Sequence, residues 1–413
     1  MTADQGGGSE GTPGSPVAHA IPIEDDDAAS PVPPGASEDS EDEWVKLDFY
    51  GHEVVLRPSE KVEREQAYSS TLDSYDDSRK AWATHRERIR DILSAVVNKD
   101  VNPVPKKDWK FIKALCRAGI PFSERPKTWV ILSGALEEKT KAAETYASLK
   151  ESVGAKLDEK TARQIEGDIN RTFPGHPIFQ REEGTECLKC VLSAFALKHP
   201  DMGYAQGLNF VAGMLIVVCG CKAEEDLFWM LSSIVKRRMY PDMYGEDLKG
   251  CHIAQKILDR LVQKKFPRVS RHFKTLGCEL SLVTSEWLLC LFSRSYPMET
   301  VARIWDSLLF EGFKIFYRVS LGFIRLHEAK ILKQTNLGDL VMFMKDEVKS
   351  RVNNEQIMRR AFHGIGGMRS KQIIKYAIMY EEEVDAMLEH YGNAKKSREG
   401  EEGGRSRQRH QSE

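Results

Sequence analysis

Three short stretches of this 413-residue chain hold side chains whose types and spacing could do chemistry. In residues 165–174, Asp168 and Arg171 stand three apart on what reads as a helix that Pro174 terminates. A carboxylate there can brace the guanidinium at the helix end. A braced arginine is what a residue reaching into a partner's active site requires; the plainer reading is a surface ion pair. In residues 204–209, Gln206 lies beside Gly207 at the mouth of an apolar helix, with Tyr204 and Asn209 on either side. Its amide could donate to and accept from a water, or could cap the helix. In residues 119–134, Arg125 and Trp129 are four apart and share a face of a helix beginning near Pro126, which an ordinary buried Trp and a salt-bridging Arg would also explain.

Several other chemistries fail on residue identity. Gly245 and Gly250 have phosphate-loop spacing, but Cys251 and His252 stand where a Lys and a hydroxyl are needed. His327 and Glu328 begin like a zinc-protease helix, yet Ile331 occupies the second His position. Cys187 and Cys190 form a lone Cys-x-x-Cys inside an amphipathic segment, without a second ligand pair. Residues 364–367, Gly-Ile-Gly-Gly, read as a turn rather than an anion cradle.

The elements that must position the three stretches are helices. Past Pro103 and Pro105 apolar residues recur every three or four positions, as in Leu188, Val191, Leu192 and Phe195, or Leu227, Phe228, Leu231 and Ile234, with little strict alternation. Proline and glycine punctuate these runs, which gives an all-α body of ten or more helices without a repeat of fixed period. The apolar run 210–221 includes two glycines and falls short of the roughly 18–20 residues that cross a bilayer, so it reads as a buried helix. Before the body, Val45, Leu47, Phe49 and residues 54–56 suggest a short extended piece. A charged helical stretch with Trp82, Ile89, Ile92 and Leu93 follows it.

The net charge of −2, from 60 Lys+Arg against 62 Asp+Glu, averages unlike parts. Residues 1–43 carry eleven acids and no Lys or Arg, so the remaining 370 hold 60 basic against 51 acidic residues. The arm has too little apolar surface to offset its ordering entropy and is expected to be disordered. The body's charge is too dilute to make nucleic acid the default partner. Residues 1–8 lack a signal peptide's basic and apolar regions, and eight irregularly placed Cys fit packed, reduced thiols; both point to a protein inside the cell.

Taken in order, the three stretches resemble the signature of TBC-domain Rab GTPase-activating proteins. The likeness continues through Trp287, Cys290, Phe292, Pro297, Glu299, residues 303–306 (Arg-Ile-Trp-Asp) and Glu311 with Gly312, and covers roughly residues 106–345. It implies an all-α, two-lobed multi-helix domain over 106–393 with a motif core at 119–312, preceded by the acidic arm 1–43 and a partly ordered lead-in 44–105, and followed by a mobile tail 394–413.

By the same resemblance Arg171 would be an arginine finger placed in trans against charge developing near the β–γ bridge of GTP. Gln206 would be a second, glutamine finger orienting the attacking water. Asp168 would hold Arg171 or pair with Arg125, while Trp129, Tyr204 and Asn209 would pack and hydrogen-bond the finger-bearing loops. Leu208 stands where Met is common in the family, a swap that preserves volume. The implied partner is a GTP-bound Rab, which itself holds the GTP and Mg²⁺, so the chain needs no cofactor or metal of its own. Membrane contact would be indirect, through the lipid-anchored Rab, with the chain cytoplasmic or peripheral at endomembranes. Two other readings stay open: a TBC-fold scaffold that holds a GTPase without accelerating it, and an unrelated helical enzyme or adaptor.

Overall fold

A computed structural model describes residues 44–47, 50, 53–56, 61–97, 104–245, 247–350 and 354–409. The chain divides at residue 42; the acidic arm, for which disorder was expected, lies outside the described residues.

The extended piece is a two-stranded antiparallel hairpin, β1 (Trp44–Leu47) against β2 (Glu53–Leu56), with Trp44 opposite Leu56 and Leu47 opposite Glu53. Valines on both strands favour extended backbone. Helices Lys61–Thr84 and Arg86–Val97 follow, burying Trp82, Ile89, Ile92 and Leu93 as their spacing requires. The Trp82 indole donates to the Gly119 carbonyl at 3.1 Å, so the lead-in is fastened to the body.

The rest of the described chain is helical. One group of helices, from Lys106–Ala118 to Glu224–Ser233, includes Arg125–Ser133, Glu159–Ile169, Glu182–Lys198 and Leu208–Cys219. The other runs from Lys249–Lys265 through Ser281–Leu289, Met298–Glu311 and Lys314–Ile331 to Ser370–Arg409. These groups correspond to the expected lobes, but one continuous apolar core runs through both. Helix Met298–Glu311 packs on Lys106–Ala118 and Arg125–Ser133 on one side and on Lys314–Ile331 on the other, which joins the groups. The apolar run is the helix Leu208–Cys219, with ten of its twelve residues buried, ended by Gly220 at φ +76°. The last helix is Ser370–Arg409, and residues 410–413 of the expected mobile tail lie outside the described residues.

Candidate functional site

Arg171 stands just beyond the helix Glu159–Ile169, whose first turn is capped by Asp158 accepting from the Thr161 amide at 2.8 Å. The helix stops before Pro174 because Thr172 closes its end. The Thr172 amide donates to the Ile169 carbonyl at 3.0 Å and the hydroxyl to the Asp168 carbonyl at 2.7 Å. Phe173 then takes a left-handed φ of +46° and turns the chain away. Arg171 Nη2 lies 2.6 Å from Asp168 Oδ1, with the arginine side chain 46% exposed. The other Asp168 oxygen accepts from the Tyr204 hydroxyl at 2.6 Å. Burial, then the hydrogen bond to Asp168, pushes the Tyr204 pKa well above its ordinary value, so the phenol keeps its proton and serves as a donor. The buried residue Asp168 thus holds a guanidinium whose side chain is nearly half exposed.

Gln206 is exposed and makes no hydrogen bond within the described residues, which leaves its amide free to donate and accept. Its neighbour Gly207 begins the helix Leu208–Cys219 at φ +111°, and a Cβ there would lie 3.0 Å from the Leu289 carbonyl oxygen. A side chain at 207 would therefore push the loop off the end of helix Ser281–Leu289. Asn209 ties the two loops together: its carbonyl oxygen accepts from the Gly207 amide at 3.1 Å and its NH₂ donates to the Thr172 hydroxyl at 2.8 Å. Below them Gly213 leaves room for the Arg171 loop, since a Cβ would stand 2.8 Å from Thr172 Cγ2 and 3.0 Å from the Phe173 ring. Cys290 borders the site on the Arg171 side, its thiol pushed up to about 12, chiefly by burial.

Arg125 and Trp129 share a helix face but serve a different carboxylate. Arg125 is buried and donates from Nε at 3.1 Å and Nη2 at 3.0 Å to Asp306. The Trp129 indole donates to the same carboxylate at 2.9 Å, as does the Ile120 amide. The pairing of Asp168 with Arg125 is thus not made, and the Trp129 indole bonds Asp306 rather than the loops of Arg171 and Gln206. A buried aspartate bonded in this way needs its donors, because an unpaired buried charge is costly. Neither Asp306's role nor that of Thr172 was assigned from sequence. The available signal was an acid at 306 beside the apolar Ile304, Trp305 and Leu308 of the same helix.

Structure also explains the discarded motifs. A Cβ at Gly250 would fall 1.9 Å from the Pro241 carbonyl oxygen, so that glycine answers a steric need. Around residues 364–367 the Ile365 carbonyl accepts from Lys265 Nζ at 2.8 Å; the turn meets a cation rather than cradling an anion. All eight cysteines are free thiols, and no cluster of metal-ligating side chains occurs among the described residues.

A family model described as "Rab-GTPase-TBC domain" matches residues 123–332, a span that contains Arg171, Gln206 and Asp306. The chain belongs to this family. Growth hormone-regulated TBC protein 1-A of Danio rerio is 33% identical over 300 residues, which cover 69% of this chain and 81% of that protein. TBC1 domain family member 2A of Homo sapiens is 33% identical over 279 residues, 67% of this chain but 30% of that protein, so the chain spans under a third of that relative's length. The crystal structure of the Chlamydomonas flagellar RabGAP TBC domain overlays with a TM-score of 0.64 at 30% identity, covering 77% of this chain and 99% of that one. The all-α architecture is therefore that of a TBC domain. No helix among the described residues is long and apolar enough to cross a membrane.

Proposed function

We propose that this TBC protein accelerates GTP hydrolysis by a Rab-family GTPase in its GTP-bound state, supplying Arg171 and Gln206 in trans. The observation that supports this most strongly is the shared mounting of the two side chains. Arg171 is held by a carboxylate that Tyr204 steadies, Gln206 is left unbonded, and Asn209 links the loops that carry them.

A small GTPase alone hydrolyses slowly because charge on the transferring phosphoryl group is poorly stabilised and the attacking water is loosely held. An arginine finger supplied in trans raises the rate by about 10³–10⁵. A guanidinium keeps its charge, offers a planar fork of donors, and here reaches the surface already oriented, so little is spent on ordering it at the moment of reaction. A primary amide can accept from the attacking water and donate to a phosphoryl oxygen, which is the glutamine's part. The partner holds GTP and Mg²⁺, and membranes are met through the partner's lipid anchor, with the chain itself cytoplasmic or peripheral.

The test is single-turnover phosphate release from a panel of GTP-loaded Rab proteins. The intact chain is expected to accelerate at least one of them, while Arg171→Ala or Gln206→Ala lowers the rate at least 10²-fold with unchanged circular dichroism. A panel without acceleration but with binding leaves a scaffold; full activity in both variants removes the two-finger assignment.

A further inference from the structure

The family match begins at residue 123, yet the loop that carries Arg171 is fastened to a residue far upstream of it. Tyr50, between β1 and β2, is buried; its hydroxyl accepts from Arg125 Nη1 at 2.5 Å and its ring lies 5.1 Å from that of Phe122. Its carbonyl oxygen lies 2.5 Å from Nε2 of His176, five residues past Arg171 in the same loop. His176 is buried too, and its Nδ1 accepts from the Ile178 amide at 3.2 Å. A carbonyl can only accept and an amide N–H can only donate, so the two bonds together require the neutral ring with its proton on Nε2. In that tautomer one nitrogen shapes the loop and the other clips it to the hairpin.

We propose that His176 is a positioning residue for the arginine finger, and that the Tyr50 turn is the fixed point against which it sets the loop. The inference rests on the reading of Arg171 as the finger. Arg171 itself is anchored on its near side by Asp168 and Thr172, while the far side of its loop is held by the His176 clip, by Gln180 Nε2 donating to the Pro174 carbonyl at 3.5 Å, and by backbone bonds from His176 to Phe173 and from Phe179 to His176. Misplacing a catalytic group by about 1 Å can cost 10²-fold in rate. The hairpin therefore belongs to the working unit although it precedes the matched domain.

The two ring nitrogens can be separated by substitution in the full chain. His176→Asn keeps an acceptor near the Nδ1 position but is too short to reach Tyr50, and His176→Gln places an N–H near Nε2. With the Rab that the intact chain accelerates most, His176→Asn is expected to lower kcat at least tenfold with KM for the Rab within twofold, and His176→Gln to stay within threefold of the intact chain. Amide hydrogen exchange at Thr172, His176 and Phe179 in the free protein is expected to quicken about tenfold in the Asn variant alone. Equal kcat in both variants, equal loss in both, or exchange unchanged by His176→Asn overturns the clip. Arg171→Ala, assayed alongside, fails separately: if it stays active, the finger reading falls, and the exchange data still decide whether Tyr50 and His176 hold the loop.

Discussion

In the proposed mechanism Arg171 and Asp168 divide a task that neither does alone. The arginine must be exposed to reach a partner, and an exposed long side chain ordinarily samples many rotamers at an entropic cost of up to about 2 kcal/mol. The 2.6 Å bond to an aspartate side chain only 12% exposed removes much of that freedom before any partner arrives. Two expectations follow. Arg171→Lys, which keeps the charge but loses the fork and the bond direction, should fall nearly as far as Arg171→Ala in single-turnover hydrolysis; a Lys variant within fivefold of the intact chain would show that charge alone suffices. On the proposed reading, in which Asp168 orients the finger and touches no substrate, Asp168→Asn should lower kcat by roughly 10–10²-fold and leave the Rab KM nearly unchanged. A rise in KM with kcat intact would place Asp168 at the docking surface instead.

At the scale of elements, the site depends on how closely a loop and a helix approach. Gly213→Ala sets a methyl 2.8 Å from Thr172 Cγ2, under a loop that cannot retreat without breaking the Asn209 bond. The cost should be about 1–3 kcal/mol in urea unfolding, with a concurrent fall in kcat. Gly175→Ala, in the same loop with no atom within 4 Å of the new methyl, is the control and should stay within about 0.5 kcal/mol. Equal effects of the two would mean that the approach is not tight. These elements also mark what was legible in the sequence. The shared face of Arg125 and Trp129 and the burial of Leu208–Cys219 are local periodicities, and both are present. Pro174 marks a stop for helix Glu159–Ile169 in the sequence, but Thr172, bonded by Asn209 from 37 positions away, closes it first. The sequence leaves Asp168 to either Arg171 or Arg125, and the structure gives it Arg171; Arg125's carboxylate, Asp306, is 181 positions distant, and no spacing within a helix announces such a partner. Tyr50 gave no signal at all, since what it offers the site is a backbone carbonyl that every residue possesses.

Across the whole molecule, the net charge of −2 conceals carboxylates that join the two groups of helices. Glu311, at the end of helix Met298–Glu311, accepts from Arg117 Nε at 2.5 Å and lies 2.9 Å from Lys113 Nζ, both on helix Lys106–Ala118; Lys314 Nζ, at the start of the next helix, is 3.0 Å away. Burial opposes the charge on Glu311, but hydrogen bonds from Arg117, Lys113 and Lys314 outweigh it and hold the pKa down to about 2, against 4.5 for the free side chain. The folded state therefore binds this proton less readily than the unfolded chain. Its contribution to stability is complete above about pH 4.5 and is lost as the pH falls toward 2. The full shift corresponds to roughly 2–3 kcal/mol once partial screening at the helix end is allowed for. Glu311→Gln should accordingly lower the melting temperature at pH 7 by several degrees while flattening its fall between pH 4.5 and 2.5, so that the two proteins converge in acid. Calorimetric scans of both across that range would show it. Parallel curves, separated by the same interval at every pH, would mean that the glutamate contributes packing rather than charge where the two groups of helices meet.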